Sequence, residues 1–177
     1  MYGRRATEGD DLWPFDEFQC VRNGEQCERT VEEWIRLLAF RWVVEVPDAY
    51  LFAFMDDDDS LIAVCGHAPS PDEDAIRFVP ALGVRTDKQG NKLGRRILYT
   101  VYLHAASVCP GGSFVFNVEP ENTPSIEMCA RLGWEALWVP SLDGPWREYR
   151  IGLPVDAGQV TIPFDVVGSE GLPTAKG

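Results

Sequence analysis

The sequence has little of what metal sites, disulfide frameworks and membrane spans require. Its 177 residues include two histidines, His67 and His104, and five cysteines, none of them arranged as Cys-x-x-Cys. No apolar run approaches the roughly 18 residues of a membrane helix, and the N-terminus lacks the apolar segment of a signal peptide. We therefore expect no metal, no membrane span and no disulfides, and predict a cytoplasmic protein with reduced thiols.

Basic residues and nucleotide-binding motifs are also scarce. Sixteen Lys and Arg stand against 28 Asp and Glu, so the formal net charge is −12. This balance opposes binding to nucleic acid or to an anionic membrane and favours a cationic small molecule or basic peptide, although solubility is the plainer explanation. A P-loop needs Gly-Lys-Ser/Thr and a dinucleotide fingerprint needs three correctly spaced glycines, and neither is present.

Apolar residues are plentiful enough for a single core. The hydrophobic fraction is 45%, with 6 Trp and 9 Phe, which suits one domain of this length. Residues 1–14 are polar and unpatterned and are predicted to form a flexible arm. The domain is predicted at 15–153, and 154–177 is interpreted as a C-terminal extension in which 160–167 could form an extra strand.

One turn is suited to binding an anion. It lies within residues 84–98, between an apolar strand predicted at 78–84 and a helix whose apolar residues recur at helical period. Gly90 and Gly94 allow close backbone approach, and a helix N-terminus presents unpaired N–H groups with a partial positive charge. We call residues 85–94 the glycine turn. The cations in or beside it are Lys88, Lys92, Arg95 and Arg96.

The other patterns place this turn in an alternating order of strands and helices. Because the unit from 78 to 118 runs strand, helix, strand, its two strands are predicted to be parallel. The aspartates of 56–60 are interpreted as a solvated hairpin turn, in preference to a metal or substrate site, at the same end of the sheet as the glycine turn. Thr123 is predicted to cap a helix that ends at Gly133. The further predictions are strands at 15–21, 50–55, 61–68, 113–118, 134–140 and 146–151 and a helix at 30–42.

Two separated segments carry a joint pattern. Val84, Gln89 and Gly94 fit Val-x-x-x-x-Arg/Gln-x-x-Gly-x-Gly/Ala, and 122–134 fits Asn-x-x-Ala/Ser-x-x-Leu/Met-Tyr-x-Lys/Arg-x-Gly-Phe. Together they resemble the acetyl-CoA motifs of the GNAT superfamily of N-acetyltransferases. The resemblance covers roughly residues 75–140 and implies the α/β (α+β) GNAT fold. That fold has a mixed sheet of about seven strands, helices on both faces and a splayed parallel strand pair at the cofactor site. In the second segment the matching residues are Asn122, Ser125, Met128, Arg131 and Gly133, with Trp134 as the aromatic.

The resemblance also implies the cofactor and its contacts. Acetyl-CoA would be the acyl donor, with Leu82 and Val84 along the pantetheine arm and Asn122 near the pantetheine or the reacting end. Lys92 stands where the family usually has its first Gly, and a helical conformation is expected to keep its N–H on the phosphate. The pyrophosphate would be held by Gln89, Gly90, Asn91, Lys92, Leu93, Gly94 and Arg95.

The catalytic groups are the least defined part of the pattern. Cys129 occupies the position of a tyrosine that protonates the leaving thiolate in many members, so it is a candidate acid or, equally, a small buried apolar residue. Glu119 is the candidate base, with Glu121 and His67 behind it. Each of these three has a plain alternative as an exposed loop charge or a hydrogen-bonded core histidine.

The sequence thus predicts an N-acetyltransferase that acetylates a primary amine of a small, cationic acceptor by direct attack. An acyl-CoA-binding module that has lost catalysis is the alternative, motivated by Cys129 and by the absence of the glutamate that the family often has in the strand at 75–84. A toxin that acetylates aminoacyl-tRNA is a third, which the net charge of −12 opposes. The sequence leaves room for a homodimer formed through the C-terminal hairpin and tail.

Overall fold

The computed structural model describes residues 2–6, 18, 20, 35, 46–141, 144–156 and 166–167. Their helices and strands follow the alternating order that the sequence predicts. The strands are β1 (Tyr2–Arg5), β2 (Tyr50–Met55), β3 (Leu61–Pro69), β4 (Ile76–Phe78), β5 (Leu82–Val84), β6 (Ser113–Val118), β7 (Ala136–Ser141), β8 (Gly144–Gly152) and β9 (Val166–Val167). The helices are α1 (Leu93–Val108) and α2 (Thr123–Arg131), and a 3₁₀ turn covers Thr86–Lys88.

The strands form one mixed sheet of nine in the order β7-β8-β6-β4-β3-β2-β1-β9, with β5 paired to β3. The crossover through α1 joins β4 to β6, and these two strands are parallel, as predicted. The other neighbours are antiparallel, except that β9 runs parallel to β1. The α/β fold with a mixed sheet is confirmed.

Two apolar cores cover the two faces of the sheet. The larger contains α1 and α2, packed on β6 through residues such as Ile97, Val101 and Phe114. The smaller contains Phe18 and Ile35, the latter in a helix, on the opposite face. Helices therefore lie on both faces, because the strands in the middle of the sheet are apolar on both sides.

Several element predictions are confirmed within a residue or two. Strands were predicted at 50–55, 61–68, 113–118 and 146–151, and the structure has β2, β3, β6 and β8 there. The helix predicted after Gly90 is α1, whose buried residues follow the predicted apolar stripe. The hairpin turn at 56–60 is exposed at residues 57–59, and the N–H of Asp59 donates to the carbonyl of Asp56 over 3.1 Å. Among the described residues, no group of acidic, His and Cys side chains could hold a metal ion.

The predicted arm over 1–14 is wrong for Tyr2–Arg5. These residues form β1, and Gly3 lies directly opposite Phe54 of β2. The edge of β2 offers backbone hydrogen bonds to β1, and Gly3 lies close to the Phe54 ring. These contacts favour a strand at Tyr2–Arg5, which has no apolar alternation of its own. A composition argument does not detect such a strand, because its order comes from its neighbour.

Other predictions at the two ends of the chain are only partly covered. The extra strand at 160–167 is present at Val166–Val167, and 160–165 lie outside the described residues. Of the helix predicted at 30–42 only Ile35 is described, and it is helical. Of the strand predicted at 15–21 only Phe18 and Cys20 are described, and neither is in a strand. In the part of the chain described, no helix is long and apolar enough to span a membrane.

Candidate functional site

The strand predicted at 78–84 is interrupted by a bulge. Residues 79–81 lie opposite only two residues of β3, Gly66 and His67, so the chain carries one extra residue there. Pro80 lies in the bulge, where its missing N–H removes no ladder hydrogen bond. The prediction of one continuous strand is therefore wrong: the bulge divides it into β4 and β5 and redirects the second part.

The bulge opens the sheet between β5 and β6. The parallel pairing of β4 and β6 ends with the N–H of Val79, which donates to the carbonyl of Val115 over 2.8 Å. Beyond this bond, among the described strands, β5 pairs with β3 alone and residues 116–118 of β6 pair with β8 alone. We call the gap between β5 and residues 116–118 the cleft. It is the splay that the resemblance implied.

The β5 edge of the cleft presents backbone hydrogen-bonding groups. The N–H of Arg85 donates to Ile62 of β3 over 2.8 Å. Because backbone groups alternate in direction along a strand, those of Leu82 and Val84 point away from β3, into the cleft. The Val84 carbonyl accepts a hydrogen bond from the Gln89 side chain over 2.9 Å. The N–H groups of Leu82 and Val84 and the Leu82 carbonyl therefore face a ligand that enters as an extended chain.

One face of β5 packs tightly against the smaller core. A Cβ placed on Gly83 would lie 2.6 Å from a carbon of Ile35 and 2.8 Å from one of Phe18. Glycine at this position therefore lets the smaller core approach the strand closely. This packing holds β5 in place, although its edge toward the cleft pairs with none of the described strands.

Helix α1 points its N-terminus at the cleft. Its N-cap is Lys92, and no side chain caps the first turn. A Cβ on Gly94 would lie 3.7 Å from Val84, 4.0 Å from Leu82 and 3.4 Å from the sulfur of Met128, which are ordinary contacts. The first turn of α1 therefore lies directly on the β5 side chains, and its unpaired N–H groups form a ready site for an anion.

Lys92 adopts a conformation that the sequence does not predict. Its φ is 60° and its ψ is 11°, in the left-handed region, and Gly90 also has a positive φ of 85°. The expected helical conformation of Lys92 is therefore wrong. The turn forces on lysine the backbone geometry that glycine adopts without strain, at a cost of roughly 1–2 kcal/mol.

Gln89 fixes the turn from inside. Its amide donates to the carbonyl of Cys20 over 2.6 Å as well as to Val84. The matched Gln of the motif thus ties the glycine turn to β5 and to the segment at Cys20. Its described contacts are structural, and its predicted contact with a cofactor stays a prediction, as do those of Gly90, Asn91 and Leu93.

Part of the positive charge near the turn is already paired. Lys88 contacts Asp56 over 2.6 Å, and Arg85 contacts Asp87 over 2.7 Å. The hydrogen bond to Asp56 raises the pKa of Lys88, and the reciprocal bond lowers the pKa of Asp56. The contact with Asp56 confirms that the hairpin turn and the glycine turn share one end of the sheet. Lys92 and Arg95 form no ion pair with the described residues, so they are the cations best placed for a ligand phosphate.

The second motif forms α2, a short helix beside the same cleft that has a defined cap at its start and a glycine after its end. Asn122, not Thr123, is the N-cap of α2, and its side chain accepts from the Ser125 N–H over 3.2 Å. The predicted Thr123 cap is therefore wrong by one residue, because Asn offers the better-placed acceptor. Gly133, at φ 74°, ends the helix as predicted. The observed role of Asn122 is to start α2, and its predicted role near the pantetheine stays a prediction.

Cys129 is fully buried in the larger core, between α2 and the sheet. Burial raises the pKa of its thiol to about 11, and a hydrogen bond with Tyr149 opposes this shift. Tyr149 also contacts Arg147 and stacks on Phe116, with ring centroids 5.0 Å apart. The sequence does not single out Tyr149, because only the pairing of β6 with β8 brings it beside Cys129. The catalytic role predicted for Cys129 remains untested.

Two of the three candidate bases, Glu119 and His67, lie in very different surroundings. Glu119 directly follows β6, partly exposed at the mouth of the cleft, and its carbonyl accepts from the Asn122 N–H over 3.0 Å. His67 is fully buried beneath α1, hydrogen-bonded to His104 of that helix. The assignment of Glu119 as base stays a prediction, while the buried position of His67 supports its alternative as a hydrogen-bonded core histidine.

The hydrogen bonds around His67 define its protonation state. The Arg77 Nε–H donates to His67 Nδ1 over 3.0 Å, and His67 Nε2 lies 2.8 Å from His104 Nδ1. His67 must therefore be neutral and donate from Nε2, which makes His104 the acceptor and also neutral. Burial lowers the pKa of His104 to about 4 and that of His67 well below its usual value, with the Arg77 charge acting in the same direction. We call these three residues the buried histidine cluster.

The comparisons with known proteins agree with this geometry. Residues 12–134 match the sequence profile of the Acetyltransferase (GNAT) family. Since the match spans more than half of the chain, this protein belongs to the GNAT family of acetyltransferases. No curated protein matches the sequence significantly.

Solved structures share the fold at low sequence identity. One from Desulfovibrio desulfuricans, described as a GNAT-family acetyltransferase, is 15% identical, with a TM-score of 0.67, over 85% of this chain and 98% of its own. Aminoglycoside 6'-acetyltransferase type Ii is 16% identical with a TM-score of 0.56, over 67% and 77%. The ribosomal-protein-S18-alanine N-acetyltransferase of Escherichia coli is 13% identical with a TM-score of 0.53, over 72% and 81%.

Proposed function

We propose that this protein transfers the acetyl group of acetyl-CoA to a primary amine of a small, cationic acceptor. The observation that carries the proposal is the cleft: an unpaired strand edge at Leu82–Val84 leads to an uncapped helix N-terminus. Pantetheine has amides that suit the strand edge, and the pyrophosphate suits the first turn of α1. The family membership supports an acyltransferase with this donor.

The proposed reaction is direct attack in a ternary complex. The neutral amine nitrogen attacks the thioester carbonyl, the tetrahedral intermediate collapses, and the thiol leaves as the amide forms. Glu119, at the C-terminal end of β6, is placed to accept the amine proton directly or through water. A net charge of −12 supports a cationic acceptor.

Isothermal titration with acetyl-CoA tests donor binding. We expect one site per chain with micromolar affinity, and no detectable heat at millimolar acetyl-CoA would refute the proposal. Turnover is tested by thiol release with a panel of an aminoglycoside, an alanine-initiated peptide and spermidine. The first two are chosen because two structural neighbours are named for such acceptors.

An acyl-CoA-binding module without catalysis is the second candidate, favoured by the burial of Cys129. It predicts acetyl-CoA binding without acetylation of any amine in the panel. A product from one amine would exclude it.

We also propose that the protein is cytoplasmic and that it binds neither nucleic acid nor membranes. A homodimer is included because Leu137 of β7 is 62% exposed in the C-terminal hairpin. Light scattering at several concentrations would show whether the protein dimerises.

A further inference from the structure

Three protic side chains form a chain beside the cleft. The Tyr149 hydroxyl is hydrogen-bonded to the Cys129 thiol on one side and to the Arg147 guanidinium on the other. Tyr149 lies directly opposite Phe116 in the β6–β8 pair, and their rings are stacked at an interplanar angle of 8°. Phe116 lies in the part of β6 that has no described strand on its β5 side, so Tyr149 stacks on a residue that borders the cleft.

We propose that Tyr149 is the acid that protonates the sulfur leaving the thioester. This inference rests on the proposed acetyl transfer and names a residue for it outside both sequence motifs. When the tetrahedral intermediate collapses, the carbon–sulfur bond breaks and the sulfur takes the electron pair. The phenolic proton moves to that sulfur and leaves a phenolate. The attacking amine loses one proton in the same reaction, and water carries this proton back to the phenolate.

Tyr149 suits this step better than Cys129. A thiol is a weak hydrogen-bond donor, and the thiolate of Cys129 would lie in an apolar core, where burial raises its pKa to about 11. The phenolate of Tyr149 would instead lie beside the charged Arg147, which offsets its desolvation. Burial raises the pKa of Tyr149, so the phenol keeps its proton at neutral pH, as an acid must.

The small side chain at position 129 is what makes the contact possible. Cys129 fills little volume between α2 and the sheet, so the Tyr149 hydroxyl can reach the underside of α2 at that point. Cys129 is then a positioning residue that holds the hydroxyl through a hydrogen bond.

The test uses Tyr149→Phe, which keeps the ring and its stack on Phe116 and removes only the hydroxyl. Cys129→Ala is the comparison variant, since it removes the thiol that holds the hydroxyl and leaves the phenol itself. With the amine that reacts in the panel, we expect kcat of Tyr149→Phe to fall roughly 100-fold with little change in the KM for acetyl-CoA. The alkaline fall in the wild-type rate, where the acid deprotonates, should be absent from the variant. We expect the kcat of Cys129→Ala to fall less than that of Tyr149→Phe, because this variant loses only the hydrogen bond that positions the hydroxyl.

A binding measurement decides the matter if no amine reacts. The titrations compare CoA with desulfo-CoA, which lacks the sulfur. Wild type should bind CoA about fivefold more tightly or better, as one hydrogen bond to sulfur gives, and Tyr149→Phe should lose that preference.

The outcomes separate this inference from the proposed function. No binding of acetyl-CoA by the wild type would overturn both. Acetylation by the wild type with an unchanged Tyr149→Phe, or a loss confined to Cys129→Ala, would overturn the role of Tyr149 and leave the proposed function standing. An equal preference for CoA over desulfo-CoA in wild type and Tyr149→Phe would do the same.

Discussion

The glycine turn and the buried histidine cluster both contain basic side chains, and they are built in opposite ways. At the glycine turn, Lys88 and Arg85 are partly exposed and paired with aspartates, while Lys92 and Arg95 have no such partner among the described residues. In the buried histidine cluster, Arg77 is 5% exposed and donates to a neutral histidine. Exposed charges can meet a ligand at little cost to stability, whereas buried ones determine how the fold responds to pH.

The largest predicted effect is an acid-induced loss of stability from the buried histidine cluster. Above pH 6.5, the ordinary pKa of histidine, neither the folded nor the unfolded chain holds a proton on His104. Below it the unfolded chain takes up the proton, while the folded chain does not until pH falls to about 4. The free energy of unfolding should therefore fall across this window by roughly 3 kcal/mol from His104 alone, with His67 adding to it.

Denaturant melts between pH 4.5 and 7.5 would measure this loss. His104→Gln should have a shallower pH dependence by up to one proton, which is about 1.4 kcal/mol per pH unit. The two cations near the rings, Arg5 and Arg77, both lower the pKa values of His67 and His104 and so act in the same direction as burial. Equal slopes in wild type and variant would show that the cluster does not control acid stability.

Next in size is the effect of Gly94→Asp at the first turn of α1. A carboxylate there would face the proposed pyrophosphate, so we expect acetyl-CoA affinity to fall roughly 100-fold or more. Titration calorimetry would measure it. Gly94→Ala is the control, because a Cβ at this position makes only ordinary contacts at 3.4–4.0 Å and should leave both binding and melting temperature close to wild type.

If Gly94→Asp bound acetyl-CoA as wild type does, the glycine turn would not be the phosphate site. A matching fall in affinity and in melting temperature would point to unfolding instead. The exposed cations of the glycine turn would then have no role in binding acetyl-CoA.

A smaller effect is expected from Lys92, where strain and charge act together. Lys92→Gly should raise the free energy of unfolding by about 1 kcal/mol, because glycine adopts the left-handed conformation without strain. The lost charge should weaken acetyl-CoA binding a few-fold, by about the strength of one exposed cation–phosphate contact. Lys92→Ala separates the two, since it loses the charge and keeps the strain. A lower stability of Lys92→Gly than of Lys92→Ala would contradict the account.

The smallest effect concerns the pair between Lys88 and Asp56. Asp56→Asn releases the lysine and removes a negative charge beside the glycine turn, so acetyl-CoA should bind about two- to threefold more tightly at low salt. Because the pair is partly exposed to solvent, stability should change little. Titrations at two salt concentrations would detect the effect, and tighter binding that persists in high salt would mean that a contact, not the charge, is responsible.

Local patterns predicted most of the elements. The apolar period of α1, the apolar runs of β2 and β3 and the glycine that ends α2 each act over a few residues, so the sequence is sufficient to place them. The start of α2 was misplaced by one residue because Asn122 and Thr123 are both good caps, and only the turn geometry chooses between them.

Features that depend on a distant partner were not predicted. The bulge at 79–81 is defined by the register against β3, the strand at Tyr2–Arg5 by the edge of β2, and the left-handed Lys92 by the fixed ends of its turn. Each lowers the free energy of the whole sheet at a local cost, so no local preference reveals it.

By itself the sequence determined the family, the crossover unit and the segment that forms the glycine turn, because glycine, charge and apolar spacing act locally. Only the tertiary structure decided that the sheet opens beyond Val79, that two histidines form a buried hydrogen-bond chain with Arg77, and that Tyr149 contacts Cys129. These features join side chains far apart in the sequence, and the pairing of strands fixes their separation and their exclusion from water.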